Sequence, residues 1–528
     1  MRGTQPRFQL EWPDSGAGSR VPVRLPLSGR LRLAAIAAGV LLASLVIEAV
    51  TPQSHAGAVQ LQLGDEFYAE GRYRDALDAY QKALAAVGPD DVRTARSGVV
   101  QSALRVAEFD LARREAEALV KSAPLAPHAR ALYGDALWAA GLFDEAEAQY
   151  KDALAASSDL ARGHQGMAKS LAARSRLQEA MAEAQTALRL SPRDLEVHHT
   201  VGTIYERMHQ YEEAAAAFSN YVNLLPNKDH SDMAEWSRAE IKFLRSFGQR
   251  VPIEMAPGSD DQSYTLDFRL VRDKVIVRAR INGGALHDFV VDTGAENTVL
   301  TRPTAQRYGV NPITYTLSAG VGDIGLRGLQ LARIDTLEFG DLKLRNVPCI
   351  IKNPPLRNLP VKETESISPP ALGLSMIIDY KARKLTLGKH LPSEPVDFEM
   401  PLRLHRLATV RGTINGDHPA NFVVDTGGEV ISISTATAES LGRPQPLRRI
   451  ALKVFGSSGW DREAFLMPGV DLSFDEIRYT NFPVVVLNLN APSALLGFQL
   501  GGIVGHRFLS RYRVGIDLDR SQLRLKEI

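Results

Sequence analysis

A stretch of fourteen residues occurs twice in this chain, and any fold must find an equivalent place for both copies. INGGALHDFVVDTG, Ile281 to Gly294, returns as INGDHPANFVVDTG, Ile414 to Gly427, at a constant offset of 133 with nine positions identical. Each copy leaves an Asn-Gly turn and runs through an apolar Phe-Val-Val strand into Asp-Thr-Gly. The strand carries an aspartate into dry surroundings. The threonine hydroxyl can bond inward, and the glycine permits a sharp turn and close approach of another backbone. Two such aspartates meeting on a pseudo-twofold axis cannot both ionise, so one keeps its proton. That pairing suits attack of water on an amide: the charged carboxylate takes the water's proton, and the protonated one polarises the carbonyl oxygen.

The same succession follows each copy. In the second copy FVVDTGGEVISIS is followed by a glycine-flanked turn VFGSSGW (Val454 to Trp460), FDEIRYTNFPVVVLN and GGIVGHRFLSRYRVGIDLDRSQLRL (Gly501 to Leu525). The first copy has FVVDTGAENTVLT, SAGVGDIG (Ser318 to Gly325), LEFGDLKLRNVPCIIKN and ALGLSMIIDYKARKLTLG. On these runs the second half of the chain resembles the retropepsin-like aspartic proteases. The resemblance implies two all-β lobes, 262–390 and 398–528, arranged as a pepsin-like pseudo-dimer that cuts a peptide or protein substrate. Asp292 and Asp425 would form the catalytic pair, supported by Thr293, Gly294, Thr426 and Gly427. Flaps at Gly320, Gly322 and Gly325, and at Gly456 and Gly459, would cover the substrate. The pair could form within one chain or between two. A non-catalytic peptide-binding scaffold built on a protease-derived module is the alternative.

Two departures stand out. Gly505 precedes Asp517 by twelve residues, whereas the matching Gly373 precedes Asp379 by six. Lobe 1 is therefore expected to lack most of the short helix after its glycine strand, with the Pro-rich run Asn353 to Pro370 before it. Gly428 stands where the family usually carries alanine or serine.

A different period governs the first half. An aromatic or leucine precedes a small residue at Tyr73…Ala76, Phe109…Ala112, Phe143…Ala146, Leu177…Ala180 and Tyr211…Ala214, with alanine spacings of 36, 34, 34 and 34. Twelve residues upstream stand Gly64, Val100, Gly134, Ala168 and Gly202; four downstream stand Tyr80, Ala116, Tyr150, Ala184 and Phe218. Small residues let two short helices approach, aromatics fill the gap, and each pair leaves an apolar face for the next. The pattern resembles the tetratricopeptide repeat, five copies over 57–226, with Ser231 to Phe247 as a capping helix within 227–250. The resemblance implies an all-α solenoid whose groove takes a peptide or protein partner; a plain spacer is the other reading.

Before the repeats, a leader (1–32) carries Arg2, Arg7, Arg20, Arg24, Arg30 and Arg32, and Leu33 to Ile47 runs for fifteen residues without a charge. Residues 33–50 read as a transmembrane anchor, or as the apolar core of a signal peptide cleaved near Ala56. Either way the positive flank stays in the cytoplasm, and the bulk of the chain is expected outside it, in a periplasm, or secreted after cleavage. Composition works by exclusion. Lys+Arg and Asp+Glu number 62 and 61, so no basic face points to a nucleic-acid partner. One cysteine, Cys349, excludes an internal disulfide framework and reads as a core residue. No HExxH, GxSxG or phosphate-loop motif occurs, so no metal site and no cofactor is expected.

Overall fold

The computed structural model describes residues 52–89, 91–356, 362–442 and 450–528. The expected leader and the apolar segment 33–50 lie outside them. Among the described residues no helix is long and apolar enough to cross a membrane.

Ten helices pack in five consecutive pairs: α1 (Pro52–Ala69) with α2 (Tyr73–Ala86), α3 (Val92–Arg105) with α4 (Phe109–Ser122), α5 (Pro127–Ala139) with α6 (Phe143–Ala156), α7 (Ala161–Ala173) with α8 (Leu177–Leu190), and α9 (Leu195–Arg207) with α10 (Tyr211–Leu224). An eleventh, α11 (Asp232–Arg245), starts at the Ser231 side-chain cap and covers the last pair. Ala76, Ala112, Ala146, Ala180 and Ala214 are fully buried where the helices touch. The aromatics follow a subtler rule than the spacing suggests. Tyr80 lies between Gly64 and Gly98, and Tyr150 between Gly134 and Gly166; a Cβ on any of these glycines would come within 2.6 Å of the ring. One ring therefore fills two gaps, its own pair's and the next. This is why the second and fourth pairs manage with Ala116 and Ala184.

The β half repeats one hydrogen-bonding pattern. In lobe 1, Lys274–Ile281 runs antiparallel to Leu286–Val291, which pairs in parallel with Ser366–Ile367. In lobe 2, Leu407–Ile414, His418–Val424 and Gly502–Val504 do the same. Between the lobes, Ser375–Asp379 pairs with Tyr512–Asp517, Ile377 facing Gly515, and Lys384–Gly388 and Gln522–Glu527 flank them. One apolar core runs from Val275 and Phe289 through Met376 and Ile516 to Phe422 and Val504.

This register corrects one reading of the sequence. The N–H of Asp292 donates to Ile367 O at 2.8 Å, and that of Asp425 to Val504 O at 3.0 Å. Ser368, not Gly373, therefore holds the place of Gly505. From Ser368 to Asp379 is eleven residues, against twelve in lobe 2. The short helix is not lost: the 3-10 turn Pro370–Leu372 stands where His506–Leu509 stands in lobe 2, and Gly373, at φ 67°, is its left-handed cap. The strand keeps its backbone bonds without its glycine, which is what hid it from a motif search.

The solenoid is packed against both lobes. Trp138, Phe143 and Tyr150 meet Leu487, Leu496 and Phe498 of lobe 2, while Tyr211 and Phe247 meet Leu329, Leu331 and Ile350 of lobe 1. The site described next thus sits on a helical support.

Candidate active site

The two Asp-Thr-Gly turns bind each other through their threonines. The Thr293 N–H donates to Thr426 Oγ1 at 3.2 Å, and the Thr426 N–H to Thr293 Oγ1 at 3.1 Å. Each hydroxyl in turn donates to the opposite strand: Thr426 to Val291 O at 2.7 Å, Thr293 to Val424 O. Both threonines are buried, so four hydrogen bonds out of contact with water fix one turn against the other.

This clasp brings Asp292 and Asp425 together within one chain. The Gly294 N–H donates to Asp292 Oδ1 at 3.1 Å, and the Gly427 N–H to Asp425 Oδ1 at 2.7 Å. Each glycine also abuts the other lobe's carboxylate. A Cβ on Gly294 would lie 2.5 Å from Asp425 Cγ, and one on Gly427 2.4 Å from Asp292 Oδ1. Burial first, and then the Asp425 carboxylate beside it, push the Asp292 carboxyl up to about 7, against the opposing pull of Lys274 and Lys352. The departure at Gly428 has a local cause. A Cβ there would come 2.7 Å from Asp425 Oδ2, so the alanine usual in the family would need a shift of the carboxylate.

The expected flap residues also meet. Gly320, Gly322 and Gly325 lie between Pro312–Ala319 and Leu326–Phe339, while Gly456 and Gly459 end the two strands of the ribbon Val454–Gly456 and Gly459–Asp461. The Ser458 N–H donates to Val321 O at 3.0 Å, and the Ile324 N–H to Ser458 O at 3.1 Å. Arg327, only 6% exposed, ties the flap of lobe 1 to Ser457 O at 3.1 Å and to Glu363 Oε1 at 3.3 Å.

Charges around the carboxylates break the symmetry, and the motif gave no hint of them. Lys352 closes Leu342–Lys352, and its Nζ donates to Thr364 O at 3.2 Å. Its register partner is Thr301, whereas the equivalent Ser434 of lobe 2 faces Leu487. Lys274 reaches across the lobe boundary and donates to Gly427 O; at the 133 offset its counterpart is Leu407. A lone lysine ending the apolar run CII was the only trace of Lys352 in the sequence. Cys349 lies fully buried in that strand, and burial pushes its thiol well up.

Paired carboxylates held by two Asp-Thr-Gly turns, one from each lobe of a β unit, define a class of site. The comparisons with known proteins agree. The aspartyl protease family profile matches residues 277–374 and 410–503, and the tetratricopeptide repeat profile matches 61–96 and 100–161. The chain thus carries a segment that matches the tetratricopeptide repeat and, after it, two consecutive segments that match the aspartyl protease family. Solved structures similar to it cover about a third of the chain. A thermophilic tetratricopeptide protein of Thermus thermophilus is 21% identical, over 35% of this chain and 99% of its own, with a TM-score of 0.31. Pseudomonas aeruginosa pilF is 16% identical, over 38% of this chain and 97% of its own, with a TM-score of 0.27. No curated protein matches the chain.

Proposed function

We propose that the chain is an aspartic endopeptidase whose catalytic pair, Asp292 and Asp425, forms within a single molecule as in a pepsin-like pseudo-dimer. The observation that carries this reading is the reciprocal packing of each Asp-Thr-Gly glycine against the other lobe's carboxylate. Two acids so close share one proton, and water between them meets a base on one side and an acid on the other. The ionised carboxylate takes a proton from the water as its oxygen bonds to the amide carbon, while the protonated one gives its proton to the carbonyl oxygen. Collapse of that adduct breaks the C–N bond: the proton taken from water passes to the leaving amine, and the carboxylate that gave its proton takes one back from an adduct hydroxyl as the carboxyl product forms. The joined flaps cover the cleft, so a substrate enters when the bonds between Val321, Ile324 and Ser458 part.

Tetratricopeptide repeats generally mediate protein–protein contacts, and here α5, α7 and α9 already make one with lobe 2 of the same chain. In this reading the solenoid first supports the protease; recruitment of a further protein would use the helical surface that remains. Leu33 to Ile47 is proposed as the anchor that holds the assembly at a membrane with the lobes outside the cytoplasm. Fractionation with and without that segment tests it: a chain equally soluble in both forms rules the anchor out.

Incubating the full chain with a mixed peptide library from pH 4 to 7 tests the activity. Cleavage by the parent, and its loss by about 10²–10⁴-fold in Asp292→Asn and in Asp425→Asn, is expected. A parent that cuts nothing, or an Asp425→Asn chain that cuts as well as the parent, removes the proposal and leaves a peptide-binding scaffold.

A further inference from the structure

The turn that opens lobe 2 lies against the solenoid. Phe398–His405 turns at Arg406, φ 61°, into Leu407–Ile414. Its flanks are held by helices. Leu404 O accepts from Arg207 Nη1 at 3.1 Å, and Arg207 also donates to Ala172 O, so that Arg207 of α9 links this peptide to the end of α7. Burial pushes the His405 imidazole down to about 3, and the neutral ring stands edge-on to Trp138 of α5 at 5.4 Å. Lys169 lies over that indole at 5.0 Å. Two residues before His405, Arg403 pairs with Asp144 of α6.

From this turn the Arg406 side chain, 41% exposed, reaches a carboxylate of lobe 1 and a carbonyl of lobe 2. Its Nε meets Glu296 Oε2 at 2.5 Å, and its Nη1 donates to Leu495 O at 3.1 Å. Glu296 is four residues past Asp292, on the loop whose Gly294 abuts Asp425. The Glu206 and Glu240 carboxyls, from α9 and α11, also feel the Arg406 charge. A guanidinium that bonds a carboxylate and a carbonyl at once fixes direction as well as distance. At the 133 offset the matching turn of lobe 1 carries Arg272 and Asp273 in place of His405 and Arg406; Asp273 and Arg406 are both exposed, whereas His405 is half-buried and Arg272 is exposed.

We propose that Arg406 is a positioning residue for the carboxylate pair, through which the helical repeats fix the lobe 1 loop that carries Asp292. This deepens the proposed protease reading and rests on it, so its test needs a readout that does not depend on cleavage. Arg406→Gln, Arg406→Lys and Trp138→Ala are made in the full chain; none of them alters a residue of the Asp-Thr-Gly turns. Two quantities are followed: kcat and KM on a peptide the parent cuts, and amide hydrogen exchange over 293–296. A displacement of about 1 Å at a catalytic group costs on the order of 10²-fold in rate. Arg406→Gln is therefore expected to lower kcat roughly 10- to 100-fold with KM little changed, and to speed exchange at those amides. Arg406→Lys should recover part of both, and Trp138→Ala should shift both in the same direction by less. Unchanged kcat and unchanged exchange in Arg406→Gln overturn the proposal. So does a lowered melting temperature with both readouts intact, which would leave Arg406 a purely structural contact. If the parent cuts no peptide, proteolysis fails on its own terms while exchange still decides the positioning role. Should Arg406→Gln not fold, the Arg406→Lys and Trp138→Ala pair carries the test, and exchange at parental rates in both overturns it.

Discussion

The two lobes share a motif, a register and a threonine clasp, yet they surround their aspartates differently. Lobe 1 places Lys274 and Lys352 within electrostatic reach of Asp292, while lobe 2 has Leu407 and Leu487 at the matching positions. Lobe 1 closes with Ser368 and a 3-10 turn; lobe 2 closes with Gly505 and a short α-helix. The opening turn of lobe 1 faces solvent, and that of lobe 2 is held by the repeats. A pseudo-twofold pair needs equivalence only at the atoms that touch, and those atoms are where the lobes agree. Away from them each lobe has adapted to its neighbours.

The comparison breaks first at the shared glycines. Gly294→Ala and Gly427→Ala each put a methyl group about 2.5 Å from a carboxylate atom of the other lobe. Both should cut kcat by roughly 10²-fold, since even a shift of about 1 Å matters at a reacting group. If only one did so in a peptide assay, the contact between the turns would be one-sided. A smaller effect separates the two closing strands. A Cβ at Gly505 would lie 2.6 Å from Val430 O, so Gly505→Ser should destabilise lobe 2 by about 1–3 kcal/mol. The reverse exchange, Ser368→Gly, should cost about 0.5–1 kcal/mol through backbone entropy alone. Thermal unfolding of the two variants side by side gives the order, and equal shifts would deny the asymmetry.

The smallest effect lies in the pH profile. A cation near Asp292 favours its charged form and holds its pKa down, so Lys352→Met should let it rise further. Cleavage needs one protonated carboxyl, and the alkaline limb of kcat should therefore move to higher pH by about half a unit. Leu487→Met, the matching change in lobe 2, should leave that limb in place. A limb that stays put in Lys352→Met would show that this lysine does not act on the pair.

Much of this architecture was legible in the sequence because local rules wrote it twice. The offset of 133 located both aspartates, both threonines and both glycines, and the spacing of 34 located the helix pairs. What stayed hidden depends on contacts distant in sequence. Gly98 and Gly166 matter because a tyrosine of the preceding pair reaches them, and spacing alone pointed to Val100 and Ala168 instead. Ser368 keeps the strand's backbone bonds without its signature residue, which misdirected the match to Gly373. Arg406 and Lys352 were ordinary charges until the fold placed one between solenoid and lobe 1 and the other near Asp292.

The central claim is that one molecule supplies both halves of one site, and mixing two disabled chains tests it most directly. Asp292→Asn retains only the lobe 2 aspartate, and Asp425→Asn only that of lobe 1. Cleavage of a peptide substrate is measured for the parent, for each variant and for an equimolar mixture of the two. An intramolecular pair predicts an active parent, and a mixture as inactive as its components at every concentration. Activity that returns on mixing, and grows with protein concentration, would contradict the account and place the pair between chains.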